Sequence, residues 1–180
     1  MINHSLKLYF AILLIFMAFA SCNNTIDKIY QIEDMPYYPE YSGDPIFWEI
    51  VKEGLKVVPD LLEKIGDTTK TNITVPNFGG YYSIGDISYM VLSKIIKGIP
   101  IYEFLNISKE KVDQIGFNAY WNYVRANPEN RRNLQIKIKE WYLKNKNDLV
   151  WIKDEHEYKG GSNNYPRKHP AGGYYILKEK

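Results

Sequence analysis

Asp44-Pro-Ile-Phe-Trp-Glu-Ile-Val-Lys-Glu-Gly54, Val57-Val-Pro-Asp-Leu-Leu-Glu-Lys-Ile-Gly-Asp67 and Ser83-Ile-Gly-Asp-Ile-Ser-Tyr-Met-Val-Leu-Ser-Lys-Ile-Ile-Lys-Gly98 are the stretch whose reading decides the fold. Asp44-Pro45 is a helix start: the carboxylate accepts from orphan N–H groups, and a proline at the first helical position loses no bond. Ile46, Phe47, Ile50 and Val51 recur at helical spacing, and Gly54 marks the turn. Val57, Val58, Leu61, Leu62 and Ile65 form a second apolar stripe, with Pro59 in the first turn, where it is tolerated. Ser83 opens a third helix whose stripe comprises Ile84, Ile87, Met90, Val91, Leu92 and Ile95. Three such stripes can bury one another, so the spacing predicts a mainly α domain.

The pattern of residues 57–67, followed by Ile84-Gly-Asp-Ile-Ser-Tyr-Met-Val-Leu-Ser-Lys-Ile95, resembles helical repeats of the HEAT class. There, a Pro-x-Leu-(Leu/Ile)-x-x-Leu helix runs into an Asp-containing turn, and an amphipathic helix opens the next unit. The resemblance covers about a third of the chain and implies a small HEAT-like multi-helix domain. A full solenoid would need about three repeats. The other reading of the same residues is an ordinary helical core.

The 180 residues are 45% hydrophobic and 24% charged, enough for one domain with a sizeable core. Net charge is +2 and the two signs are interleaved, which disfavours nucleic acid as a partner. Aromatics make up 15% of the chain, dominated by 16 Tyr, whose apolar rings and polar tips suit interfaces and sugar faces.

Lys7, the apolar run Leu8 to Phe19 and the small pair Ala20-Ser21 read as a secretory signal over residues 1–21, too short to span a membrane. Phe19-Ala20-Ser21-Cys22 resembles the lipobox of bacterial lipoproteins, although that family prefers Leu where Phe19 stands. The resemblance implies that the thiol of Cys22, the only cysteine, is acylated and that Cys22 becomes the first mature residue. Such a chain would be anchored to the cell envelope by lipid, and Asn23 would favour the outer membrane. The alternative is a simple cleaved signal with a stray cysteine, or an uncleaved anchor. Lipid attachment would also consume a thiol that could form no internal disulfide.

Residues 22–43 lack periodicity and read as an extended tether that can fold back through Tyr37, Tyr38 and Tyr41. Fully stretched it would reach roughly 70 Å, and as a flexible coil nearer 25 Å. Residues 68–82 read as a long loop, and loops of that length in a compact domain are usually functional or disordered. A recognition surface is expected there, with Asn77, Phe78, Tyr81 and Tyr82 as contacts. In the competing reading, Phe78 and Tyr82 pin the loop to the core. Asp67 and Asp86 flank it and are expected to cap helices rather than bind metal.

Ser108 begins a helix carrying Val112, Ile115, Ala119, Tyr120 and Tyr123, and Asn127-Pro128-Glu129 begins another carrying Leu134, Ile138, Trp141 and Tyr142. The two should form an antiparallel pair, with Trp121 and Trp141 in the core. Arg125, Arg131, Arg132, Lys137 and Lys139, with Glu129 and Glu140, read as a solvated mixed-charge face. Leu149-Val-Trp-Ile152 and Tyr174-Tyr-Ile-Leu177 are β-prone and able to pair as a short hairpin within 149–180. Between them, Asp154-Glu-His-Glu157 and His169 read as an exposed polar loop, since their spacing matches no metal motif.

Residues 44–180 are therefore expected to form one helical domain with no cofactor, no metal and no catalytic residues. No Gly-x-Ser-x-Gly elbow, phosphate-binding Gly-x-x-x-x-Gly-Lys-(Ser/Thr) loop or His-Glu-x-x-His is present. Three functions stay open. The favoured one is a non-catalytic, membrane-anchored interaction domain that binds another envelope protein. The second is a polysaccharide-binding lipoprotein, and the third is a small hydrolase.

Overall fold

Asp44 is where the helical core begins. In the computed structural model, which describes residues 25–37, 41–157 and 168–178, its Oδ1 accepts from the Ile46 amide at 2.8 Å and caps helix α1 (Pro45–Lys52). Gly54, at φ +59°, turns the chain into α2 (Val58–Lys64), with Pro59 in the first turn as the sequence predicts. Helix α3 (Ile84–Ile95) starts with a reciprocal capping box. Ser83 Oγ accepts from the Asp86 amide, and the Asp86 carboxylate accepts from the Ser83 amide. Phe47, Ile50, Val58, Leu61, Ile65, Ile87 and Val91 are all fully buried, so the three stripes do close on one another. The fold is mainly α.

Between α2 and α3 the structure differs from the expected loop. Residues 70–83 form an antiparallel hairpin of β1 (Lys70–Thr74) and β2 (Tyr81–Ser83), with Lys70 opposite Ser83 and Thr74 opposite Tyr81. Thr71 and Ile73 face inward alternately with exposed Lys70, Asn72 and Thr74, a period-2 pattern whose inward face carries only one large apolar residue. At the tip, Val75 and Gly80 are paired by a 2.9 Å backbone bond, and Asn77, Gly79 and Gly80 take positive φ. A glycine pair and an asparagine are suited to such a turn.

The expected tether is also corrected. Thr25–Gln31 is a 3-10 segment, and Ile26, Ile29, Ile32 and Met35 lie in the core together with Tyr41. Four apolar residues at three-residue spacing from Ile26 outweigh the absence of a longer helical pattern. Asp44 holds this segment as well: its Oδ2 accepts from the Glu33 amide, and its own amide donates to the Asp34 carbonyl. The signal stretch, Cys22 and Asn23 lie outside the described residues.

After a short turn of helix α4 (Ile101–Phe104), the single helix expected from Ser108 is two. Gly116, at φ +54°, separates α5 (Lys109–Ile115) from α6 (Asn118–Ala126). Asn127 then caps the Glu129 amide and begins α7 (Pro128–Asn145), which packs against α6. The C-terminal hairpin pairs β3 (Leu149–Lys153) with β4 (Gly173–Leu177), Leu149 opposite Leu177 and Lys153 opposite Gly173. It joins the body where the Lys97 amide, just past α3, donates to the Tyr175 carbonyl at 2.9 Å.

Candidate functional site

The hairpin β1–β2 separates its four expected contacts into two kinds. Tyr81 is 53% exposed and Asn77 lies at the tip, its side-chain amide donating to the Tyr37 hydroxyl. Tyr82 is only 3% exposed and sits edge-on to Trp121 at 5.5 Å. Phe78 is half-buried, 6.0 Å from the same indole. Asn77 and Tyr81 are thus available to a partner, whereas Tyr82 is withdrawn as a contact and pins the hairpin to the core, with Phe78 beside it. The reason is register: successive residues of a strand point to opposite faces, so Tyr81 and Tyr82 cannot both face out.

Arg125, on α6, braces the tip from below. Its Nη1 donates to the Gly79 carbonyl at 2.7 Å and its Nη2 to the Tyr81 carbonyl at 3.3 Å. The guanidinium lies 4.7 Å from the Phe78 ring centre and 5.2 Å from that of Trp121, four residues earlier on the same helix.

The base of the hairpin is fixed by a buried polar cluster. Asp86 Oδ1 accepts from Arg131 Nη2 at 2.7 Å and from Tyr120 Oη at 2.9 Å, and Oδ2 accepts from the Ser83 amide and hydroxyl. Asp86 and Arg131 are 1% and 5% exposed. Arg131 therefore does not belong to the solvated charged face expected for it. It aligns with Leu134, Ile138 and Tyr142, all buried on α7, and that 3-4-4 spacing was a signal in the sequence that its charge obscured. Burial pushes the Tyr120 hydroxyl well above the usual tyrosine range, and the Asp86 carboxylate pushes it further, so it remains a neutral donor. Burial alone would disfavour the charge on Arg131, but the Tyr120 and Asp86 oxygens outweigh it, so the guanidinium is held protonated more firmly than usual. Burial also raises Tyr82 to about 12, again reinforced by Asp86.

A pocket of about 430 Å³ opens between this hairpin and the α6–α7 pair; Lys70, Tyr81, Asp86, Arg125 and Arg131 are among the residues in its wall.

His169 is buried at 4% exposure, edge-on to Tyr41 and Trp48 at 5.5 and 5.6 Å, and its Nδ1 accepts from the Ala171 amide. This corrects its assignment to an exposed loop. Its aromatic neighbours come from the N-terminal segment and α1, distant in sequence. His156 is exposed, as expected. Among the described residues, no three His, Cys, Asp or Glu side chains come together as metal ligands would. Of the tryptophans, Trp48 and Trp121 are buried, Trp141 is half-buried, and Trp151 is 46% exposed on β3. Among the described residues no helix is long and apolar enough to cross a membrane.

No family model matches this chain, and no match was found among curated proteins or solved structures.

Proposed function

We propose that this chain is a non-catalytic envelope lipoprotein, anchored through Cys22, whose HEAT-like helical core presents the hairpin β1–β2 to another envelope protein. The observation that carries this reading is the Arg125 brace. Two charge-assisted bonds to tip carbonyls and two aromatic faces fix the turn before any partner arrives, while Asn77 and Tyr81 stay exposed. A recognition element ordered in advance loses less conformational freedom on binding, and exposed tyrosines are suited to protein interfaces. The HEAT-like description of the core draws its support from α1 and α2 each packing on α3. The non-catalytic reading is supported by the Asp86 cluster, where both carboxylate oxygens are engaged in structural bonds.

The test is affinity capture from host envelope extract with the full-length protein in detergent. A protein retained stoichiometrically, and lost when Asn77 and Tyr81 are both changed to Ala, is the expected result. Retention of no protein, or capture unaffected by that double change, would sink the proposal.

A second reading, polysaccharide binding, is favoured by one observation. Tyr30 and Tyr37 are exposed beside β1, as Tyr81 is on β2, giving three accessible rings on and around one hairpin. Binding to host glycan in the absence of protein, abolished by Tyr37→Ala and Tyr81→Ala, would select it over the first.

A further inference from the structure

The pocket between β1–β2 and the α6–α7 pair takes cations from three separate elements: Lys70 from β1, Arg125 from α6 and Arg131 from α7. Asp86 is the one carboxylate in its wall, and its oxygens already accept four hydrogen bonds from Ser83, Tyr120 and Arg131. It neutralises about one of the three charges and has little capacity to take on another cation. The acceptors of Arg125 are neutral carbonyls, which leave its positive charge uncompensated. Lys70 is exposed and, among the described residues, its ammonium makes no hydrogen bond or ion pair. Buried Arg131 uses Nη2 on Asp86, while its Nη1 has no hydrogen-bond partner among the described residues. That Nη1 is buried near Gly85, so the charge open to the pocket is that of Arg125 and Lys70, with Arg131 adding its field from behind the wall.

We infer that this pocket binds an oxyanion, a phosphate or carboxylate group carried on a small organic body. The charge excess selects an anion. The rest of the wall sets Val124, Pro128 and the exposed ring of Tyr81 beside Thr68, Gly80 and Ser83, which adds to the anion subsite an apolar face suited to a compact ring or chain. A volume of about 430 Å³ lies within the range of small-molecule sites. The site shares Tyr81 with the surface proposed for the partner but does not include Asn77, so a change at Lys70 or at Asn77 tests one without the other. It also accounts for two arginines that a braced hairpin alone would not require to share one cavity with a lysine.

The experiment is an amide NMR titration of the full-length protein in detergent at low ionic strength, with sodium phosphate, sodium glucuronate and, as a neutral control, glucose. Saturable shifts confined to residues 68–70, 80–83 and 124–131 are expected from an anion and none from glucose. Tighter binding of phosphate would assign the group to a phosphate ester, and tighter binding of glucuronate to a carboxylate; either supports the site. Lys70→Gln removes a charge without touching the core. It should weaken binding roughly tenfold at an unchanged melting temperature, the size expected for one charge-assisted hydrogen bond. Added chloride should weaken binding further. No saturable shift with either anion, or binding that Lys70→Gln leaves intact, would overturn the inference.

Discussion

The two hairpins of this protein are alike in strand number and differ in how they are fastened. Two strands alone hold poorly in water, so each needs support from outside itself. β1–β2 is held by side chains reaching from distant helices: Arg131 and Tyr120 meet Asp86 at its base, and Arg125 grips its tip. β3–β4 is held mainly by backbone and rings. The Lys97 amide donates to Tyr175 and the Lys97 ammonium lies 3.7 Å from the centre of the Tyr174 ring, while within the hairpin Trp151 packs edge-on to Tyr175 across the strands. Charge-based fastening is specific and fragile, because removing one partner leaves the other buried. Backbone-based fastening degrades in small steps.

The largest effect should come from Arg131→Met. It strands the Asp86 carboxylate in the core and is expected to cost about 3–5 kcal/mol in urea unfolding. Adding Asp86→Asn should recover part of that loss, since it removes the stranded charge. If the single and double variants are equally unstable, the charge pair is not what holds the base of β1–β2.

Gly85→Ala probes the same base sterically. An added Cβ would stand 2.3 Å from the Ile65 carbonyl and 2.7 Å from that of Asp67. Both are backbone atoms that cannot swing away, so the clash outweighs the roughly 1 kcal/mol by which alanine favours a helix over glycine. A net loss of about 1–3 kcal/mol is expected from thermal unfolding. A stabilised variant would show that this seam has slack.

Alkaline pH tests the cluster without mutation. Burial raises Tyr82 to about 12, and it raises Tyr89 and Tyr120 as well. The folded state therefore keeps protons that the unfolded chain releases near pH 10. This contribution is fully present below about pH 10 and is lost as pH rises towards 12, with a slope approaching about 1.4 kcal/mol per pH unit for each such group. Urea midpoints measured from pH 8 to 11.5 should be flat at first and then fall. A flat profile throughout would show that these hydroxyls ionise freely.

Arg125→Gln should leave global stability within about 1 kcal/mol while speeding hydrogen exchange at Gly79–Ser83, because it frees the tip and not the base. Equal acceleration across β3–β4 would erase the distinction between the hairpins. The smallest change is expected from Lys97→Met, a loss of about 0.5–1 kcal/mol through its contact with Tyr174, read in the melting temperature.

How far this was legible beforehand follows the same division. α1, α2 and α3 were readable because their caps and apolar stripes are local. Asp44-Pro45 and the Ser83–Asp86 box lie within a few residues of what they satisfy. The strands of β3–β4 were legible as short β-branched and aromatic runs. β1–β2 was not, because threonine alternation carries little apolar contrast and because its supports lie some 45 residues away, as in the Arg131–Asp86 bond. Arg125 is exposed, as expected, but its carbonyl partners on the hairpin could not be read from its own helix; Arg131 looked like surface charge, since a single helix pattern does not reveal a buried carboxylate on another element. Of the expected recognition residues, Asn77 and Tyr81 remained accessible, and strand register assigned Tyr82 to the inside.

Asp44, which caps α1 with one carboxylate oxygen and holds the Glu33 amide with the other, has a consequence for how the molecule can stand on a surface. With the chain already packed from Thr25 onward, an acyl group on Cys22 would be joined to the body by three residues, a leash of about 10 Å at full stretch. That is shorter than the radius of gyration of a body this size, about 15 Å. If Cys22 is acylated as proposed, that leash would keep the near face of the body within about 10 Å of the headgroups, and a partner would have to meet it close to the bilayer.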